Sequence, residues 1–158
     1  MANTQSMCTS FLGELMTATH NFGASPIRAA STADTFKAAL YLTSATINAS
    51  TTAYSSTGEV TGTNYTAGGV SVTNATAPAS TNSSTTAGVG YWTPSASLVY
   101  NTVTLTTAFD TVLIYNSTQS NKAVSVHTFG SQTITAGTFT LTMPSNTTTT
   151  ALLRLATT

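Results

Sequence analysis

Charge is what this chain has least of. Of its 158 residues, 4 are Lys or Arg and 4 are Asp or Glu, which makes 5% charged and a net charge of zero. A soluble domain ordinarily carries about a quarter. Four cations cannot neutralise a phosphate backbone, so no nucleic-acid partner is expected. Cysteine is scarcer still: Cys8 stands alone, which excludes an internal disulfide framework and a multi-cysteine zinc site. No run approaches the ~20 apolar residues of a membrane helix, and no membrane partner is expected. The first residues carry neither the basic region nor the apolar core of a secretion signal. Disorder pairs low hydrophobicity with high net charge, and 41% hydrophobic residues at zero net charge fit neither condition.

In place of charge stand 38 Thr and 19 Ser. Threonine is β-branched, stiff at χ1 and suited to a pleated, half-buried surface. Its hydroxyl is polar without the long side chain of Lys or Glu. A Thr/Ser surface can therefore be covered by another protein without stranding a charge. Zero net charge also offers little repulsion between copies. Both properties suit a protein that works inside an assembly.

The hydrophobic pattern reads as all-β: an antiparallel β-sandwich or jelly roll of about 7–9 short strands with one N-terminal amphipathic helix. The helix is expected over 5–21. There Met7, Cys8, Phe11, Leu12, Leu15 and Met16 recur in pairs every four residues, before the stop supplied by Gly23 and Pro26. From Asp34 the period becomes two, with Phe36, Ala38, Leu40 and Leu42 on one face. Residues 47–54 and 60–65 are weaker strand candidates, Ala67-Gly68-Gly69 reads as a turn, and 70–73 as a short strand. Residues 76–94 read as a long exposed loop suited to contacts. Strands follow at 98–107, 111–115, 122–129, 133–135, 138–143 and 151–155, with Ala136-Gly137 as a hairpin turn. The expectation is one domain over 1–158, the sandwich occupying 34–158.

Catalysis finds no support in the pattern. Glu14, Asp34, Glu59 and Asp110 are scattered, and His20 and His127 lie more than a hundred positions apart without ligand spacing. An enzyme would require the fold to bring two of these six groups together. Asp34 and Asp110 read as turn or capping residues, His127 as an outer-face strand residue, and Cys8 as core. No catalytic, cofactor or metal residue is assigned. Tyr54, Tyr65, Tyr91, Trp92 and Tyr100 gather around the long loop, where aromatics serve glycan binding, protein interfaces or a sandwich edge. The residues chosen as an interface are Met7, Phe11 and Leu15 on the helix and Tyr91 and Trp92 on the loop.

Several phrases together resemble a group of small tailed-bacteriophage virion proteins. They are MCTSFLGEL (Met7 to Leu15), HNF (His20 to Phe22), DTFKAALYLTSATINASTTAY (Asp34 to Tyr54), TGEVTGTNYTAGG (Thr57 to Gly69) and FDTVLIYNSTQSNKAVSVHTFGSQTITAGTFTLTMP (Phe109 to Pro144). The resemblance implies a structural, non-enzymatic particle protein located in the virion and assembled in the host cytoplasm. The compact β domain and charge-poor surface favour capsid decoration, that is, a cement protein. Its partners would then be the major capsid protein or other virion proteins and further copies of itself. The alternative is a tail, neck or fibre component with a glycan- or receptor-binding role.

Overall fold

The computed structural model describes residues 3–16, 19–22, 33–81 and 88–156. The chain is mostly β, and every strand pair is antiparallel. In chain order the elements are β1 (Ser6–Met7), α1 (Thr9–Met16), β2 (Phe36–Leu42), β3 (Val70–Val72) and β4 (Ala79–Ser80). They continue with β5 (Val89–Trp92), β6 (Leu98–Asn116), β7 (Lys122–Leu141) and β8 (Leu153–Ala156). A five-stranded sheet runs β1-β7-β6-β2-β3, and a three-stranded sheet runs β4-β5-β8.

The amphipathic helix expected over 5–21 is not seen. Ser6 and Met7 pair with Val126 and Ser125 at the edge of β7, and the Cys8 amide donates to Val124 O at 3.1 Å. That backbone is committed to the sheet, so helical turns begin only at Thr9 and last 8 residues. Cys8 and Phe11 are buried in the chain's own core.

The second half is also organised differently from its sequence pattern. The strands expected at 98–107 and 111–115 are one strand, β6, of 19 residues, and those expected between 122 and 143 merge into β7, of 20. Ala136-Gly137 does not turn the chain. Ala136 has φ 47° and sits where the register slips between Val103↔Gly137 and Leu105↔Ile134, so it marks a bulge. On the facing strand Thr102 plays the same part, with φ 50°. The candidate strands at 47–54 and 60–65 form only isolated bridges, Ala53↔Lys122 and Thr63↔Thr104. The loop expected over 76–94 contains the β4–β5 hairpin instead, with 82–87 outside the described residues.

Both faces of the central strands are covered, which is why β2 is buried at five of its seven positions and residues 111–116 at all six. One face carries Phe36, stacked on Phe22 at 4.5 Å, with Trp92 of β5 packed 4.7 Å from Phe22. The other carries Tyr115, stacked on Tyr54 at 4.7 Å, beneath the loop 43–69. A single hydrophobic cluster extends from Cys8 and Phe11 through β2, β6 and β7 to Trp92 and Leu153.

Candidate functional site

Four of the five chosen interface residues converge. Phe11, Leu15, Tyr91 and Trp92 line one apolar depression of about 250 Å³, together with His20, Phe22 and Leu155. The depression lies between α1 and the small sheet. Met7 stands apart, half-buried on β1. Phe11 and Trp92 are each only 2% exposed, so they serve this chain's own core. Trp92 also donates its indole N–H to Thr76 O at 3.0 Å, tying β5 to the connection between β3 and β4. Leu15 and Tyr91 are half-buried. Leu155, at 43% exposure, is one of two large apolar side chains standing out among the described residues. The depression is smaller than the several hundred Å³ typical of small-molecule sites.

Beside it lies a buried polar cluster that draws on the whole chain. Asn116, fully buried, donates through Nδ2 to Asp34 Oδ2 at 2.8 Å and to His20 Nδ1 at 3.0 Å. Its Oδ1 accepts from the Thr118 and Gln119 amides, each at 3.1 Å, so its whole hydrogen-bonding capacity is used. Those two backbone donors fix the orientation of the amide, and the amide fixes the tautomer of His20. Nδ1 accepts, and Nε2–H donates to Glu14 Oε2 at 2.7 Å. Lys122 completes the cluster with Nζ 2.6 Å from Glu14 Oε1. Asp34 also accepts from the Asn21 amide and from Gln119 Nε2.

A second cluster surrounds Glu59. Its carboxylate accepts from Tyr54 Oη at 2.7 Å, Tyr65 Oη at 2.8 Å and the Gly68 amide at 2.7 Å. Tyr65 Oη in turn accepts from the Leu40 amide, and Tyr115 Oη donates to Gly68 O. Burial and the nearby carboxylate push the Tyr54 phenol up to about 12, and burial does most to raise Tyr65 and Tyr100 as well. These tyrosines are neutral fasteners that hold the loop on the sheet.

The fold does therefore bring two of the six scattered groups into contact, Glu14 and His20, with Asp34 one amide away. The chemistry of the contact is static. The His20 side chain has no exposed surface and both ring nitrogens are engaged. Burial lowers its pKa against the raising influence of Glu14 and Asp34. Burial works to raise the Glu14 pKa, but the bonds from Lys122 and His20 prevail and lower it. Cys8 is fully buried, and burial foremost pushes its thiol up to about 11, far from thiolate reactivity. Asp110 is likewise engaged, accepting from Asn3 Nδ2 at 2.8 Å and Thr111 Oγ1 at 2.7 Å. No group of three metal-ligating side chains occurs among the described residues.

His127 is not on an open outer face. It points the same way as Ser125, with Nε2 2.9 Å from Ser125 Oγ, and is half-buried beside Val112, Ile114 and Met143. Desolvation lowers its pKa from 6.5 to about 4.

Both histidines thus have folded pKa values below the unfolded one. The unfolded chain binds more protons below pH 6.5, and stability is lost as pH falls from there. For His127 the loss runs from pH 6.5 down through pH 4 and amounts to about 3 kcal/mol. Urea unfolding at pH 7, 5.5 and 4 should show this decline. His127→Gln, which cannot titrate, should lose less over the same range. Equal losses in the two proteins would remove His127 from the account.

Sequence reasoning treats Glu14, Asp34, His20 and Glu59 as isolated groups and assigns Asn116 no role. The signal for Asn116 was its place at the head of the polar turn Asn116-Ser117-Thr118-Gln119, where an Asn side chain characteristically bonds backbone amides two and three residues on. No family model matches the chain, and comparison with curated proteins and with solved structures found no match.

Proposed function

We propose that this chain is a structural protein of a tailed-bacteriophage virion, most consistent with a capsid decoration role, and that it works by self-association and by contact with the major capsid protein. The observation that carries the assembly reading is the fate of its charge. All four carboxylates are hydrogen-bonded within the chain: Glu14 to Lys122 and His20, Asp34 to Asn116, Glu59 to two tyrosines, and Asp110 to Asn3. The surface left over is dominated by threonine and serine and can be covered at little desolvation cost. The phage reading rests on the resemblance of the sequence phrases. In this reading the small sheet packed on the large one is a β-sandwich. Its contribution to a particle is mechanical, since contacts of about 800 Å² per partner across capsomer junctions resist internal pressure. No catalytic step is part of this proposal.

A glycan-binding role as a tail, neck or fibre component needs exposed aromatic platforms. Trp92 and Tyr100 are buried, and Tyr54 and Tyr65 are half-buried with their hydroxyls turned to Glu59. That favours the decoration reading. Quantitative mass spectrometry of purified particles should find this chain in hundreds of copies relative to the major capsid protein. A dozen copies would move it to the neck, baseplate or fibres, and absence would end the structural reading.

A further inference from the structure

Strand β7 has one edge paired with β6 along its length. Its other edge takes β1 at Ser125 and Val126 and then, from His127 to Leu141, has no backbone hydrogen-bond partner among the described residues. Natural sheets guard such an edge with lysine, proline, inward charge or bulges. From Ala123 to Met143 there is no Asp, Glu, Lys, Arg or Pro. Bulges are the guard that remains, and they do not reach the end of the strand. Between Tyr100 and Val103 the extra residue lies on β6, so β7 itself runs regular from Gly137 to Leu141. Thr138 and Thr140 are exposed there, and Leu141 is opposite Leu98.

We infer that the Gly137–Leu141 edge pairs antiparallel with the same edge of a second copy, about a two-fold axis at Phe139. A two-fold contact needs a surface complementary to itself. An uncharged strand with alternating threonines meets that condition, because the axis sets Thr138 opposite the partner's Thr140 and the reverse. Cross-strand threonine pairs are favourable. The edge carries no Asp, Glu, Lys or Arg that would select a partner of opposite charge over a second copy. Copies of a chain with zero net charge do not repel one another on approach. The short β1 already shows that this edge accepts an added strand.

The inference rests on the self-association in the proposed function but not on the particle. Sedimentation of the purified chain should give a dimer. Thr138→Lys/Thr140→Lys sets like charges opposite each other at exposed positions and should give a monomer whose unfolding temperature is nearly that of the parent. Thr138→Glu/Thr140→Glu should also be monomeric, and mixing the two variants should restore a dimer, now held by opposite charges. A monomeric parent, a trimer, a Lys variant that stays dimeric, or variants that do not pair on mixing would each overturn the inference. A chain counted in virions yet monomeric in solution would overturn the pairing and leave the virion reading standing. A dimer broken by these charges would stand even if virions lacked the chain.

Discussion

Asn116→Ala is expected to cost about 4 kcal/mol, lowering the melting temperature by roughly 8–16 °C for a chain of this size. The side chain makes four hydrogen bonds in a fully buried position, and alanine makes none. Two backbone amides at the head of the β6–β7 turn lose their acceptor. His20 Nδ1 loses its donor, and Asp34 keeps only the Asn21 amide and Gln119 Nε2. A neutral bond removed in this way costs about 1 kcal/mol, and one to a buried carboxylate costs more. The cluster helps hold the segment around His20 to the sheet beside the Phe22–Phe36 stack, so its release adds to the loss.

Asn116→Asp separates this account from a simple cavity effect. The substitution keeps the shape but turns the donor into an acceptor facing both Asp34 and His20 Nδ1. Two carboxylates would then share the site, and the charged form of His20 would be favoured instead of opposed. This variant should be strongly destabilised at pH 7, and its deficit relative to the parent should shrink as the pH falls. Thermal and urea unfolding of both variants between pH 7 and 4 provide the measurement. An alanine variant within about 1 kcal/mol of the parent would mean that water replaces the amide without loss.

What the sequence made legible, and what it did not, follows from distance along the chain. Strand β2 announced itself because Phe36, Ala38, Leu40 and Leu42 alternate without interruption, and β3 because two glycines precede it. The all-β class followed from short period-two runs divided by turn signals, a pattern that threonine's stiffness at χ1 suits. The long strands were hidden because Thr102 and Ala136 break the alternation by one residue each, and a bulge and a turn leave the same trace in a single sequence. The helix was overread because Met7 and Cys8 fit its apolar stripe, although their backbone belongs to the edge of β7. The long-range links of the buried polar cluster could not be read. Asp34 and Asn116 are 82 positions apart, and Glu14 and Lys122 are 108 apart. No local spacing carries that information. By contrast, Phe11, Leu15, Tyr91 and Trp92, chosen as interface residues with Met7, lie around one depression.

Gly69→Ala should cost about 4 kcal/mol as well, for a reason confined to the backbone. Gly69 has φ 74°, a conformation that costs an L residue about 1 kcal/mol or more. An added methyl would stand 1.7 Å from Ala38 O and 2.7 Å from Ala39 Cα. Those are main-chain atoms of β2, fixed on both sides by β3 and β6, so no rotamer change relieves the overlap. Either β3 lifts from Ala38 or the turn opens, and overpacking of this kind adds a few kcal/mol. The neighbouring position supplies the control. Gly68 has φ 88°, yet a methyl there would meet Tyr115 Oη at 3.0 Å and Lys37 Nζ at 3.9 Å, both ends of side chains. Gly68→Ala should therefore cost about 1–2 kcal/mol, mostly backbone strain. Equal losses for the two variants in thermal unfolding would show that strain alone matters and that the approach to Ala38 is relaxed in solution. The turn also carries the Gly68 amide to Glu59, so opening it in Gly69→Ala removes a donor from a buried carboxylate. That loss has a signature of its own. The Tyr54 phenol, held near 12 by burial and by Glu59, should move back toward 10 in a folded variant whose loop has lifted, and remain near 12 in Gly68→Ala.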